Sequence, residues 1–193
     1  AAASCAQLAT DAPKRQGWNI KTPLYGDVES VTITSYSLKD SFGVLSRSKI
    51  VEKLCYNFNQ SGDVTEEAEY KSAGSLSRKY IFKYDTKGNI TEEVLYNSDG
   101  SLFVKSIYKY DTKGNKTEEA GYNSAGSLKG KYIYKYDTQG NKTEEAKYDS
   151  DGSLVNKWIY KYDTQGNLTE ITKYYGEMQK PIGQTVYTII YRK

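Results

Sequence analysis

Histidine is absent from the 193-residue chain. Its absence removes the usual general base near neutral pH and the commonest metal ligand, so most hydrolase and metalloenzyme readings fall, and neither a catalytic residue, a metal site nor a cofactor is expected. Methionine occurs once, proline 3 times and phenylalanine 4 times, too little large apolar matter for a dry helical core. No apolar run is long enough for a transmembrane segment. An excess of one charge is missing too: 27 basic residues face 24 acidic ones, a net +3. No global field steers the protein, which argues against a nucleic-acid partner and lowers an anionic membrane as one. What is abundant is tyrosine, with 20 residues, and tyrosine suits half-wet pleated surfaces. The expectation is all-β.

Cysteine is scarce as well: Cys5 and Cys55 are the only thiols. An oxidising compartment could pair them and tie the N-terminal arm to a sheet; the alternatives are two unpaired thiols, or lipidation at Cys5, which Ala2 at the usual Leu position disfavours. The chain opens Ala-Ala-Ala-Ser-Cys without an initiator Met, as the mature end of a cleaved export signal would; an artificially chosen boundary would look the same.

The dominant feature is a repeat. FKYDTKGNITEE from Phe82, YKYDTKGNKTEE from Tyr108, YKYDTQGNKTEE from Tyr134 and YKYDTQGNLTE from Tyr160 follow each other at 26 residues, and a decayed copy, YNFNQSGDVTEE, begins at Tyr56. The second half of each unit is equally regular: YKSAGSL from Tyr70, YNSDGSL from Tyr96, YNSAGSL from Tyr122, YDSDGSL from Tyr148. Each unit thus holds two Gly-containing turns. Gly88 in Asp-Thr-Lys-Gly-Asn supplies the left-handed residue that closes a three-residue hairpin loop. Period-two alternation between turns gives two antiparallel strands per unit. The expected architecture is an antiparallel meander of about twelve strands over 31–192, either an open coiled sheet or a closed barrel, preceded by an N-terminal arm or cap over 1–30.

If each turn pairs its flanking residues, Tyr84 faces Ile90, Phe82 faces Glu92 and Tyr96 faces Leu102. One face then carries Leu76, Tyr80, Phe82, Tyr84, Val94 and Tyr96, repeated as Tyr132, Tyr134, Trp158 and Tyr160 with Ala120 and Ala146. The other carries Lys79, Ile81, Lys83, Thr91 and Glu93 and reads as a solvated face of cross-strand ion pairs. In this register Glu66, Glu92, Glu118, Glu144 and Glu170 lie on the aromatic face, with Glu118 between Tyr108 and Tyr132 and Glu144 between Tyr134 and Trp158. Buried carboxylates demand partners. The plainer reading is a Tyr–Glu hydrogen-bond ladder; the functional one is a glycan- or peptide-binding groove on Tyr132, Tyr134, Glu144, Trp158 and Tyr160. Glu118 and Glu119 alternate across the strand, so they cannot act together on one bond. At the ends, Ser37–Ser48 is an insertion, and Tyr174–Pro181 lengthens the last turn before an expected strand Thr185–Tyr191. Both ends read as edge caps.

Several motifs dissolve into turn chemistry. Asn89-Ile-Thr91, Asn115-Lys-Thr117, Asn141-Lys-Thr143 and Asn167-Leu-Thr169 match the N-glycosylation sequon but recur behind a turn glycine. Asp85, Asp111, Asp137 and Asp163 open turns that lack the spaced ligands of a calcium loop.

The pattern Tyr-x-Tyr-Asp-x-x-Gly-Asn-x-Thr, at Tyr108–Thr117 and Tyr134–Thr143, resembles the YD repeats of bacterial Rhs proteins and teneurins over roughly residues 56–174. The resemblance implies a wound β-sheet without an active site. In that family long arrays enclose a cargo; the units here are too few, so encapsulation does not carry over. The chain is also similar to exported tyrosine-repeat proteins of gut Bacteroidetes, which implies export to periplasm, cell surface or medium but no activity. A looser likeness links Tyr96–Ser101 to the hairpin repeats of choline-binding cell-wall proteins, without their Trp pattern. The expected role is an exported non-catalytic module that binds a protein or glycan at the cell surface or serves as a scaffold.

Overall fold

The computed structural model describes residues 24, 26–177 and 180–192. Twelve antiparallel strands follow one another in chain order, β1 to β12, and the order is that of an open meander without a closing β1–β12 pair among the described residues. They are β1 (Ser30–Ser41), β2 (Val44–Phe58), β3 (Val64–Tyr70), β4 (Leu76–Tyr84), β5 (Ile90–Tyr96), β6 (Leu102–Tyr110), β7 (Lys116–Asn123), β8 (Leu128–Tyr136), β9 (Lys142–Asp149), β10 (Leu154–Tyr162), β11 (Leu168–Tyr175) and β12 (Pro181–Val186). Among the described residues no helix is long and apolar enough to cross a membrane. The described residues fall into two compact units, divided between Phe103 and Val104. Cys5, and with it a Cys5–Cys55 link, lies outside the described residues, as does nearly all of the 1–30 arm. Cys55 Sγ lies 3.5 Å from Thr32 Oγ1.

The repeat explains its own turns. In Asp85–Asn89 the Asp85 N–H donates to Asn89 O at 2.9 Å and the Gly88 N–H to Asp85 O at 3.1 Å. Gly88 sits at φ 85°, where an L side chain is strained. Asp85 Oδ1 accepts from the N–H groups of Lys87 and Asn89, and Oδ2 accepts from Asn89 Nδ2. The Asp-Thr-x-Gly-Asn motif is therefore a self-saturating turn, and its carboxylate pKa is lowered mainly by the Asn89 side-chain hydrogen bond.

One residue past each such turn the register slips. Tyr84 does face Ile90, but Lys83 faces Glu92 and Phe82 faces Glu93. The extra residue is Thr91, whose hydroxyl donates to Lys83 O at 3.3 Å; Thr169 does the same to Lys161 O at 3.0 Å. A bulge of this kind inserts one residue and turns the rest of the strand over. The expected pairing of Phe82 with Glu92 is thus corrected, and the sequon threonines acquire a structural role as bulge residues. Val94, Tyr96, Ala120 and Ala146 move to the lysine face, opposite Ile81, Lys79, Ile107 and Ile133. Glu92, Glu118, Glu144 and Glu170 move with them and pair with Lys83, Lys109, Lys135 and Lys161 at 2.8–2.9 Å.

In the first unit the aromatic face is a dry core. Leu54, Tyr56, Phe58, Val64 and Phe82 are buried, and Leu24, Val28, Val31, Ile33, Tyr80, Tyr84 and Ile90 pack against them. Among the described residues the second unit shows no such core. Its buried described residues are Ala120, Ala146 and Thr172, so its cohesion rests on cross-strand contacts between long side chains.

The ends depart from the repeat. Residues Ser37–Ser48 form the outer part of a long β1–β2 hairpin, closed by Phe42 at φ 58° and Gly43 at φ 81°. At the other end the last strand is Pro181–Val186 and not Thr185–Tyr191. Pro181 fits the first position of an edge strand, where its missing N–H leaves no broken ladder bond. Tyr191 lies beyond the strand and donates its hydroxyl to Asp163.

Candidate functional site

The candidate surface is the aromatic face of the second unit. Tyr132, Tyr134, Trp158 and Tyr160 do share this face and are half-buried. Glu144 does not belong to it. Its carboxylate is 2.9 Å from Lys135 on the opposite face, and the bulge at Thr143 puts Glu145 in its place. Glu119 stands between Tyr108 and Tyr132, and Glu145 between Tyr134 and Trp158. The neighbours expected for the glutamate row are right, and the row itself is displaced by one residue.

Two lysines complete the site. Lys116 Nζ is 2.7 Å from Glu119 and lies 5.2 Å and 5.4 Å from the ring centroids of Tyr108 and Tyr134. One repeat later Lys142 Nζ is 2.5 Å from Glu145 and 5.6 Å and 4.7 Å from Tyr134 and Tyr160. The result is a ladder, Tyr108–Lys116–Tyr134–Lys142–Tyr160, in which each ammonium bridges two rings. Such contacts are worth about 0.5–1 kcal/mol where exposed. The tyrosine hydroxyls close the network: Tyr134 donates to Glu119 at 3.4 Å and Tyr160 to Glu145 at 3.2 Å. The second tyrosine of each Tyr-x-Tyr-Asp motif clips neighbouring hairpins together, Tyr136 to Lys116 O at 2.8 Å and Tyr162 to Lys142 O at 2.9 Å.

The electrostatics follow. Burial, then the charges of Glu119 and Glu145, push the Tyr134 phenol well above its ordinary value. Tyr160 is raised by burial and Glu145. Burial opposes the charge on Lys142, but its hydrogen bond and attraction to Glu145 outweigh it, so the ammonium holds its proton more tightly than usual. Farther along the face, Lys173 lies 5.5 Å over Trp158 and Lys147 lies 5.7 Å over Tyr132. The aromatic platform is therefore already stacked with the protein's own cations. Glu118 and Glu119 point to opposite faces, toward Lys109 and Lys116.

The lysines were the residues missed by reading the sequence, although one position carries the signal. The residue after the turn Gly-Asn or Gly-Asp is Val64, Ile90, Lys116, Lys142 and Leu168 in successive units. It is apolar at Val64 and Ile90, where the first unit has its dry core, lysine along the ladder, and apolar again at Leu168 in the last hairpin.

No protein-family model matches the chain, and no curated protein sequence matches it. Among solved structures, a porin-like protein from Bacteroides uniformis is similar at 15% identity and a TM-score of 0.39, over 78% of this chain and 56% of that one. A protein of unknown function from Bacteroides fragilis is similar at 16% identity and a TM-score of 0.27, over 82% of this chain and 93% of that one. TcdB2-TccC3 is similar at 14% identity and a TM-score of 0.27, over 83% of this chain but 12% of that one. The chain thus spans about half of the porin-like protein and a small part of TcdB2-TccC3. None of these likenesses assigns a function.

Proposed function

We propose that the chain is an exported, non-catalytic β-repeat module that acts as a binding or scaffold element at the cell envelope, and that it meets its partner with the ladder face of the second unit. The observation that carries this reading is the repetition of one contact set: a lysine, a glutamate and two tyrosines recur from Lys116 to Lys142 with the same partners. Successive hairpins advance by two strand spacings, about 9.6 Å, so the face offers equivalent aromatic and charged groups at a regular interval. A surface of that kind suits an extended chain molecule, a linear glycan or a stretched peptide, better than a single small ligand. The YD-like motif supports the non-catalytic part of the reading, and the likeness to exported tyrosine-repeat proteins supports the location.

A glycan would stack on Trp158, displacing Lys173, would accept a hydrogen bond from Lys142 and would donate one to Glu145. The test is binding to an array of linear glycans, followed by Trp158→Ala. Loss of about tenfold or more in affinity with an unchanged circular dichroism spectrum supports the groove. Binding that survives Trp158→Ala, or no binding to any glycan or extended peptide, refutes the ladder as the recognition face and leaves the scaffold role, for which a protein partner should be recovered from the producing cell.

A further inference from the structure

The β1–β2 hairpin is longer than its neighbour needs. β3 pairs only with Lys53–Phe58 of β2, so the remainder, closed by Ser41↔Val44 across the Phe42-Gly43 turn, projects as an arm. Positive φ at both central residues is the type I′ geometry, which prefers Asn, Asp or Gly at the position Phe42 occupies. Phe42 is fully exposed at 107%. A strained backbone carrying a fully exposed aromatic ring is unfavourable for this fold taken by itself, and such outliers point to function.

The rest of the tip agrees. Leu38, Val44 and Leu45 are 62%, 67% and 64% exposed. They occupy both faces of the hairpin: Val44 shares a face with Ser41 and, one rung on, with Lys39 and Ser46, whereas Leu38 and Leu45 share the other with Asp40 and Arg47. A protein pocket would read one face; a medium that surrounds the tip would reward both. Lys39, Arg47 and Lys49 flank and follow these residues, Lys39 a rung nearer the turn than Leu38 and Arg47 directly opposite Leu38, with Arg47 stacked 5.0 Å over Tyr36. Among the described residues the acid next to the tip is Asp40, which is engaged by the turn itself and accepts the Gly43 N–H at 2.8 Å.

We propose that this arm is a docking finger for an anionic lipid surface, in which Phe42, Val44, Leu45 and Leu38 enter the head-group and acyl boundary while Lys39, Arg47 and Lys49 meet the anionic head groups. The near-balanced charge of the whole chain conceals this local asymmetry. The finger lies in the first unit and stands independently of the ladder reading, so Trp158→Ala leaves it unchanged.

The experiment is co-sedimentation of the full chain with vesicles of phosphatidylcholine and phosphatidylglycerol, against vesicles of phosphatidylcholine alone. Wild-type protein should sediment with the anionic vesicles and less so as salt is raised. Phe42→Asn should lower partitioning by about tenfold or more while leaving the melting temperature equal or higher, since Asn suits the turn better than Phe. The triple change Lys39→Gln, Arg47→Gln, Lys49→Gln should abolish the preference for anionic vesicles. The proposal is overturned by absence of sedimentation at low salt, by equal binding to neutral vesicles, or by Phe42→Asn binding as wild type does. Concentration-dependent self-association that Phe42→Asn removes, without vesicle binding, would also overturn it in favour of a second copy as the occupant.

Discussion

Two glycines that stand opposite each other on the ladder face show how differently single residues can be constrained. Gly121 pairs with Gly130 across β7 and β8. A Cβ on Gly130 would lie 2.6 Å from the backbone oxygen of Tyr148, whereas a Cβ on Gly121 would meet nothing within 4 Å. Gly130 is required by a close approach of backbone; Gly121, between Ser106 and Gly130 on the neighbouring strands, leaves open space. Gly130→Ala should therefore lower stability by about 1–3 kcal/mol. Gly121→Ala should be neutral or stabilising by up to about 1 kcal/mol, because it reduces only the freedom of the unfolded chain. Urea unfolding of the two variants separates these outcomes, and equal losses would show that the gap at Gly121 is needed for folding.

At the level of strands and hairpins, the bulge decides which side chains meet. The 26-residue spacing, the two turns per unit and the Tyr84–Ile90 pair were legible because they depend on local rules of glycine and period-two alternation. The face of the residues between each threonine bulge and the next turn was not legible, because one inserted threonine reverses the count and neither Thr91 nor Thr143 differs in type from an ordinary strand residue. A second register shift past that next turn restores the count, so Tyr132, Tyr134, Trp158 and Tyr160 keep the expected face. So Glu144 reads as a groove residue and proves to be an ion-pair partner of Lys135, while Lys142 and Glu145 go unnoticed. The repeats nevertheless hold the correction, since Lys142 and Glu145 are replaced together by Leu168 and Ile171 in the last unit. Ile90 keeps Glu93 and Val64 keeps Glu67 in the earlier units, so it is the direct Lys142–Glu145 contact that predicts coupling. Lys142→Leu alone leaves the Glu145 side chain, 19% exposed, short of a cation and should cost about 1–3 kcal/mol. Adding Glu145→Ile should recover most of the loss, a coupling of at least about 0.5 kcal/mol in a double-mutant cycle. Lys135→Leu on the solvated face, where the lysine is 63% exposed, should cost less than about 1 kcal/mol. Additive effects at 142 and 145 would show that the ladder contacts do not cooperate.

For the whole molecule, the titratable groups set a characteristic pH profile. Tyr84 is pushed up to about 12 by burial and by the nearby charges of Asp63 and Glu93. Tyr134, Tyr136, Tyr160 and Tyr162 are raised chiefly by burial, and Tyr191 by its hydrogen bond to Asp163. Lys83, Lys109, Lys135 and Lys161 are raised by hydrogen bonds to their glutamates. All of these groups hold their protons more tightly folded than unfolded. Their contribution is complete below the unfolded value of about 10 and is lost as pH rises through the folded values, up to about 12 for Tyr84. The turn aspartates have the opposite sign. Asp85, Asp111 and Asp137 are lowered first by their asparagine partners and Asp163 by Tyr191. Their share is present above about pH 4 and disappears as pH falls through the lowered folded values. Because the chain has no histidine, no imidazole titrates between these limits. The melting temperature should therefore be flat from about pH 5 to pH 9 and fall steeply above about pH 10, with phenolate absorbance at high pH rising together with loss of the β-sheet circular dichroism signal. Phenolate formation by all 20 tyrosines at the value of free tyrosine with the sheet intact would refute the closed Tyr–Lys–Glu network, since only a broken network would let its hydroxyls ionise without unfolding.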